Sequence, residues 1–439
     1  MNIPERPHLV RAMGRWTLAA LVMNSMIGSG IFGLPSLIAR LVGPSSRWAF
    51  LIGGIGVGTI MACFAEVASQ FPQAGGPYLY TRETFGRFAG LEVGWITWVA
   101  RLAAGAASAN LFVIYLAEFW PGAKAAAPRL VVLTVVIGVL AIINYVGVAA
   151  GANTSNVITI AKLVPLTLFV VAGVVYLATH GNVTPVARAA APTSGNWLQA
   201  LVLVVFAYGG FEGAVVAMGE VKDPHRSAPF AIFIGLFTCA VVYTLVQVVV
   251  VGVLADPTTT DRPLATAARQ FLGAGGAWII AAGTLLSTLG HVSSVVLTMP
   301  RLPFAISERG DFPAFLSAIH RRFHTPHVAI AISAVILWLL AARASFGWNA
   351  TFSVLARLFA YGAACAALPI LRHRDPGRAR FQLAAGPVFA AIGLVFSLLL
   401  ITRVKTLDVG IIAAVAIFAF GNWLWALRQS ASGKSNISA

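Results

Sequence analysis

"NSMIGSGIFGLP", residues Asn24–Pro35, lies inside an apolar run long enough to cross a membrane, yet it holds three glycines, two serines and a proline. Glycine and proline are the poorest helix formers. A helix that unwinds in hydrocarbon exposes N–H and C=O groups at several kcal/mol each, so it survives only where they face protein, water or a ligand. Two readings are open. The small residues let another helix pack closely, or the unwound backbone is itself a binding site.

The setting is a polytopic membrane protein. Of 439 residues, 59% are hydrophobic and 10% charged, against about 25% charged in soluble domains. Twelve apolar segments recur, at roughly 16–40, 48–71, 91–119, 129–146, 154–179, 197–219, 229–254, 277–303, 327–343, 350–371, 381–402 and 407–428. Each is near the length that spans a hydrocarbon core of roughly 30 Å. No sizeable soluble domain is left between them.

The net charge of +16 sits mainly in the short loops, where the positive-inside rule places Lys and Arg. That reading excludes nucleic acid as a partner. An even number of crossings puts both termini on one face. Seventeen of the 30 Lys and Arg fall on that face and ten on the other, which makes the terminal face cytoplasmic and the location the inner (cytoplasmic) membrane. The first residues lack a small-residue cleavage site and read as a cytosolic arm. Cys63, Cys239 and Cys365 all fall within apolar segments, so no disulfide framework and no disulfide-linked partner chain is expected.

Segment 6 repeats the anomaly of segment 1. "YGGFEG", Tyr208–Gly213, interrupts it near its middle. The two breaks stand five segments apart, an odd number, so the second copy enters the membrane from the opposite side. Interrupted segments at matching places of two inverted halves point to a transporter site. Amides at Ser29 and Gly30 form the positive end of a half-helix and suit a carboxylate. Carbonyls freed before them, and near Phe206, Ala207, Tyr208 and Gly209, suit an ammonium. Together they fit the backbone of an α-amino acid.

These stretches resemble the amino acid–polyamine–organocation superfamily. "GSGIFGLP" is similar to its first-helix signature, and "FAYGGFEG" with "GEVKDPHRSAPFAI" to its sixth helix and the following loop. "FPQAGGPYLYTRETFG" and "RLPFAISERGDFPAFL" resemble the loops after helices 2 and 8. The resemblance implies an all-α integral membrane fold of twelve transmembrane helices. It would be a five-plus-five inverted repeat with broken helices 1 and 6, plus two C-terminal helices, divided at 1–180, 181–371 and 372–439. It implies secondary amino acid transport by alternating access, with no cofactor and no metal. Met26, Ile27, Gly28, Ser29, Gly30, Phe206, Ala207, Tyr208 and Gly209 would surround the substrate. The Ser29 and Gly30 amides would hold its carboxylate, and the Met26, Phe206 and Ala207 carbonyls its amine, with Phe206 as an aromatic gate.

Ionisable residues inside a membrane are expensive and usually functional. By the resemblance, Lys162 takes the place of a sodium ion, bonding the Met26 or Ile27 carbonyl and a hydroxyl of Ser293 or Ser294. As a fixed cation or a proton carrier, it argues against sodium coupling. By the same resemblance Glu212 would be a gating or proton-sensing carboxylate, or else it is a structural one that accepts segment 1 amides. By alignment with the family, Arg101 lies on the segment 3 face that borders the substrate and would bind a side-chain carboxylate, or else it pairs internally with Glu212 or Glu118 or snorkels to water. Arg357 and His291 are further candidates, read first as structural, and Glu66 is read as a helix-end residue. Neutral amino acids lead as substrates, with acidic ones second because of Arg101. Scattered histidines and the lack of paired acids argue against an embedded enzyme. The absence of symmetric filter residues argues against a channel.

Overall fold

The computed structural model describes residues 14–71, 76–147, 152–183, 191–212, 221–377, 379, 381–403 and 406–435. The N-terminal arm and the second half of segment 6, residues 213–219, lie outside them. The described residues form helices, α1 (Arg15–Met26), α2 (Gly30–Val42), α3 (Ser46–Ala68), α4 (Gly76–Phe85), α5 (Arg87–Leu116), α6 (Ala126–Val146), α7 (Ala152–His180) and α8 (Ser194–Tyr208). There follow α9 (Pro224–Val253), α10 (Pro263–Thr298), α11 (Arg301–Glu308), α12 (His327–Arg343), α13 (Phe346–Arg374), α14 (Gly386–Ile401) and α15 (Thr406–Ser435). No β-strand occurs among the described residues.

Seven spans among them are long and apolar enough to cross a membrane, and four shorter apolar helices accompany these. Two expected loops contain helices, α4 in Pro72–Gly90 and α11 in Arg301–Pro326. Helix α10 begins well before its expected segment and kinks at Gly273.

Lipid exposure accounts for the outer helices. On α6, Val131, Val135, Val139 and Ile142 recur at helical spacing and are all exposed; Val388, Ile392, Val395 and Leu399 do the same on α14. Such stripes would drive association in water but are at no disadvantage in lipid. The most enclosed spans are α5 and α13, which pack against each other at the centre. Helix α2 lies on α8, α1 on α9, and α10 against both α5 and α7.

One polar anchor ties the last elements to this core. Glu66, fully buried near the end of α3, accepts Arg372 Nε at 2.5 Å and Nη2 at 2.7 Å, and the Leu383 N–H at 2.9 Å. Its helix-end position is as the sequence suggests, but its partner comes from α13. Glu66→Gln should lower stability by roughly 2–3 kcal/mol, at or below the range for broken buried pairs because Arg372 still reaches water. Thermal unfolding in detergent measures this; an unchanged midpoint would show the anchor to be dispensable.

Candidate functional site

Helix α1 stops where the sequence predicts. The Ile27 N–H still reaches the Met23 carbonyl, Gly28 turns back onto the Met26 carbonyl at 2.8 Å, and α2 begins at Gly30. The first N–H groups of a helix have no intrahelical partner. The Ser29 side chain does not cap them; its Oγ sits 2.8 Å from Ser108 Oγ, which is 2.6 Å from His291 Nδ1.

The second break closes against the first. Helix α8 ends at Tyr208, the Gly209 N–H bonds the Phe206 carbonyl, and Gly210 takes φ 114°. A side chain on Gly210 would strike the Ser25 carbonyl, and one on Gly30 would place its Cβ 2.7 Å from Ala207 Cα. The glycines therefore do two things: they unwind one stretch and admit a neighbouring backbone at another.

Between the breaks lies a cavity of about 10 Å³, room for about one water. Its wall holds Ser25, Met26, Gly28, Ser29 and Gly30 from the first break, Phe206 and Gly209 from the second, Arg101 and Ala104 from α5, His291 from α10 and Arg357 from α13. Phe206 meets Phe346 edge-to-face with centroids 6.2 Å apart, closing one side. Glu212 lies behind Arg101 and Arg357, on the wall of a second small cavity. Its Oε2 accepts the Gly210 N–H at 2.9 Å and the Tyr361 hydroxyl at 3.0 Å. Its Oε1 faces Arg357 Nε at 3.2 Å and Arg101 Nη1 at 3.6 Å. Beyond these three charges a second small cavity is lined by Pro77, Thr97 and Tyr361, so the triad partitions two spaces.

Lys162, buried on α7, donates to the Ile27 carbonyl at 3.3 Å and the Asn24 carbonyl at 3.5 Å. It thus ties down the frayed end of α1 with charge-assisted hydrogen bonds.

Several expectations change. Ile27 and Ala207 do not line the cavity; Ile27 gives its carbonyl to Lys162, and Ala207 packs on Gly30. Tyr208 points away into α3, where its hydroxyl bonds the Phe50 carbonyl at 2.9 Å. The Met26 carbonyl already accepts Gly28 N–H and the Tyr243 hydroxyl, which fills its two lone pairs. The Phe206 carbonyl accepts one bond, from Gly209 N–H, and the Ala207 carbonyl lies 3.3 Å from the Tyr243 hydroxyl, whose single proton is nearer the Met26 carbonyl. Ser294 is exposed and Ser293 half-buried, and the bonds from Lys162 run to carbonyls instead. Glu212 accepts from Gly210 and Tyr361, not from segment 1. Glu118 pairs with Arg262 and Arg269, leaving Glu212 as the acid beside Arg101. Arg357 and His291, read as structural, stand on the cavity wall. Tyr243 and Ser108, which bond both the breaks and their supports, carry no local sequence signal.

The sequence matches the amino acid permease family over residues 13–422. An uncharacterized transporter of Mycobacterium tuberculosis is 30% identical over 407 residues, covering 90% of this chain and 88% of its own length. The serine/threonine exchanger SteT of Bacillus subtilis is 27% identical over 399 residues, 85% of this chain and 86% of its own. The branched-chain amino acid permease BcaP of the same organism is 27% identical over 416 residues, 90% and 88%. A match that runs through both breaks and nearly the whole chain places it: this protein belongs to the amino acid permease family.

Proposed function

We propose that the chain carries L-amino acids across the cytoplasmic membrane by alternating access, independently of sodium. The observation that supports this best is the meeting of the end of α1 and the end of α8 at one small cavity, with the uncapped start of α2 on its wall. An α-carboxylate fits the Ser29 and Gly30 amides, and the α-amine fits the free lone pair of the Phe206 carbonyl. Relatives that carry amino acids by name, the exchanger and the branched-chain permease, support the substrate class.

In this reading the chain crosses the membrane twelve times as two inverted five-helix repeats, 1–180 and 181–371, with 372–439 appended and both termini cytoplasmic. The cavity holds about one water, so a substrate enters only when α1–α2 and α8 part. Phe206 with Phe346 forms the outer barrier and the Arg101–Glu212–Arg357 triad the inner one. Lys162 supplies the positive charge a sodium ion would supply, and transport runs by proton coupling or exchange.

Uptake of labelled amino acids into proteoliposomes should saturate, accelerate with unlabelled amino acid inside, and persist when choline replaces sodium. Lys162→Met should reduce it at least about tenfold, the loss of a charge-assisted bond at the α1 terminus. Uptake that required a sodium gradient would remove Lys162 from this role, and uptake linear in concentration would remove alternating access.

A further inference from the structure

The geometry points to a substrate with a second carboxylate: an amino acid with an acidic side chain, bound by Arg101 and Arg357. The inference rests on the transport reading and names its substrate class. Glu212 is one carboxylate between two guanidinium groups. Its Oε2 is committed to Gly210 and Tyr361, so both arginines turn to Oε1. Arg101 Nε is left without a hydrogen-bond partner although the residue is only 6% exposed, while Arg357 Nε, in a residue 4% exposed, is held by Glu212 Oε1 at 3.2 Å. Buried polar groups are almost always paired. Here the Arg101 Nε donor lacks an acceptor, and the Arg101 and Arg357 side chains both stand on the cavity wall beside Ser29 and Gly30.

Charge selects the ligand. Arg101, Arg357 and Lys162 against Glu212 leave two positive charges in excess around the cavity. A cationic amino acid raises that excess and a zwitterion leaves it unchanged. A side-chain carboxylate lowers it by one and offers a guanidinium two acceptor oxygens. The approach carries the same sign. On the far side of Phe346 lies a pocket of about 340 Å³ lined by Lys124, Arg129 and Arg343, with Asp261 as its acid. Asp261 is already paired with Lys124 at 2.9 Å and Arg40 at 3.7 Å. Arg129 donates to the Asn110 side chain and to the Ala341 and Ala344 carbonyls, so its charge meets no carboxylate there. A concave mouth of one sign concentrates ions of the other.

The test is competition for uptake into proteoliposomes by wild-type protein, in chloride and in gluconate buffer. Glutamate or aspartate should compete at least about tenfold better than glutamine and asparagine in both buffers, the discrimination expected of a site that lacks a charged acceptor. Arg101→Ala should erase that preference, and Arg101→Lys should restore part of it. Saturable uptake of neutral amino acids with no competition from glutamate or aspartate would overturn the inference and leave the transport reading intact. A site filled by chloride would do the same, seen as stabilisation by chloride with no acidic preference. If folded Arg101→Ala and Arg101→Lys lost all substrates equally, Arg101 would only position Glu212, and the inference would fail. The absence of saturable uptake for any amino acid would defeat the transport reading itself.

Discussion

Glu212→Gln should destabilise the protein by about 3–5 kcal/mol and abolish transport, the range for removing one member of a buried ion pair. Glutamine keeps the size and can still accept from the Gly210 N–H and the Tyr361 hydroxyl, which bond Oε2 in the native protein. What disappears is the charge facing Arg357 at 3.2 Å and Arg101 at 3.6 Å. Two buried guanidinium groups would then repel with no counter-charge between them. The double variant Glu212→Gln with Arg101→Gln returns the local charge to its native excess, so it should be more stable than the single variant. Such a non-additive pair is the signature of direct coupling. Apparent melting temperature in detergent reads the stability and proteoliposome uptake reads the function. A single variant within about 0.5 kcal/mol of wild type, the spread of neutral substitutions, would mean that the triad is not held together by charge. So would a double variant no better than the single one.

How much of this was legible depends on whether a feature is written locally. The break in α1 could be read because glycine, serine and proline contradict their apolar surroundings within a few residues, and the same holds at Tyr208–Gly213. Lys162 could be read because a lone ammonium in hydrocarbon has few uses. Side-chain direction was harder. Tyr208 borders the break in sequence, but two residues along a helix turn it by about 200° from Phe206. Phe206 therefore faces the cavity while Tyr208 faces Phe50. Ser294 likewise faces outward on its own helix, and Lys162 bonds carbonyls instead. Arg357 can be named from the sequence as an ionisable residue in an apolar segment, but its partner Glu212 and its place beside Arg101 come from α13 packing on α5, a contact between residues some 250 positions apart that no short pattern records. Helices α4 and α11 were missed because short polar helices between spans lack the apolar length that marks a crossing.

Gly210→Ala should be nearly as damaging as loss of Glu212, at about 3 kcal/mol or more, and should stop transport. Two effects act in the same direction. The residue holds φ 114°, a region that costs an L-residue of order 1–3 kcal/mol. Its missing side chain is also the space taken by the Ser25 carbonyl at the end of α1. Backbone at that point has nowhere to retreat, because Lys162 holds the neighbouring Asn24 and Ile27 carbonyls and Tyr243 holds that of Met26. Relief would require α8 to move from α1, which would carry the Gly210 N–H away from Glu212 and open the inner barrier. Gly28→Ala provides the contrast. It lies in the same unwound stretch, but its Cβ would meet the His291 ring at 3.5 Å, ordinary van der Waals contact. That variant should fold within about 1 kcal/mol of wild type, typical of a tolerated substitution. If both variants failed alike, the unwound backbone as a whole would be the fragile element. If Gly210→Ala transported normally, the contact between the two breaks would have no part in holding the site. A collapse confined to Gly210 would identify that contact as the one that holds the two half-helices in register around the cavity.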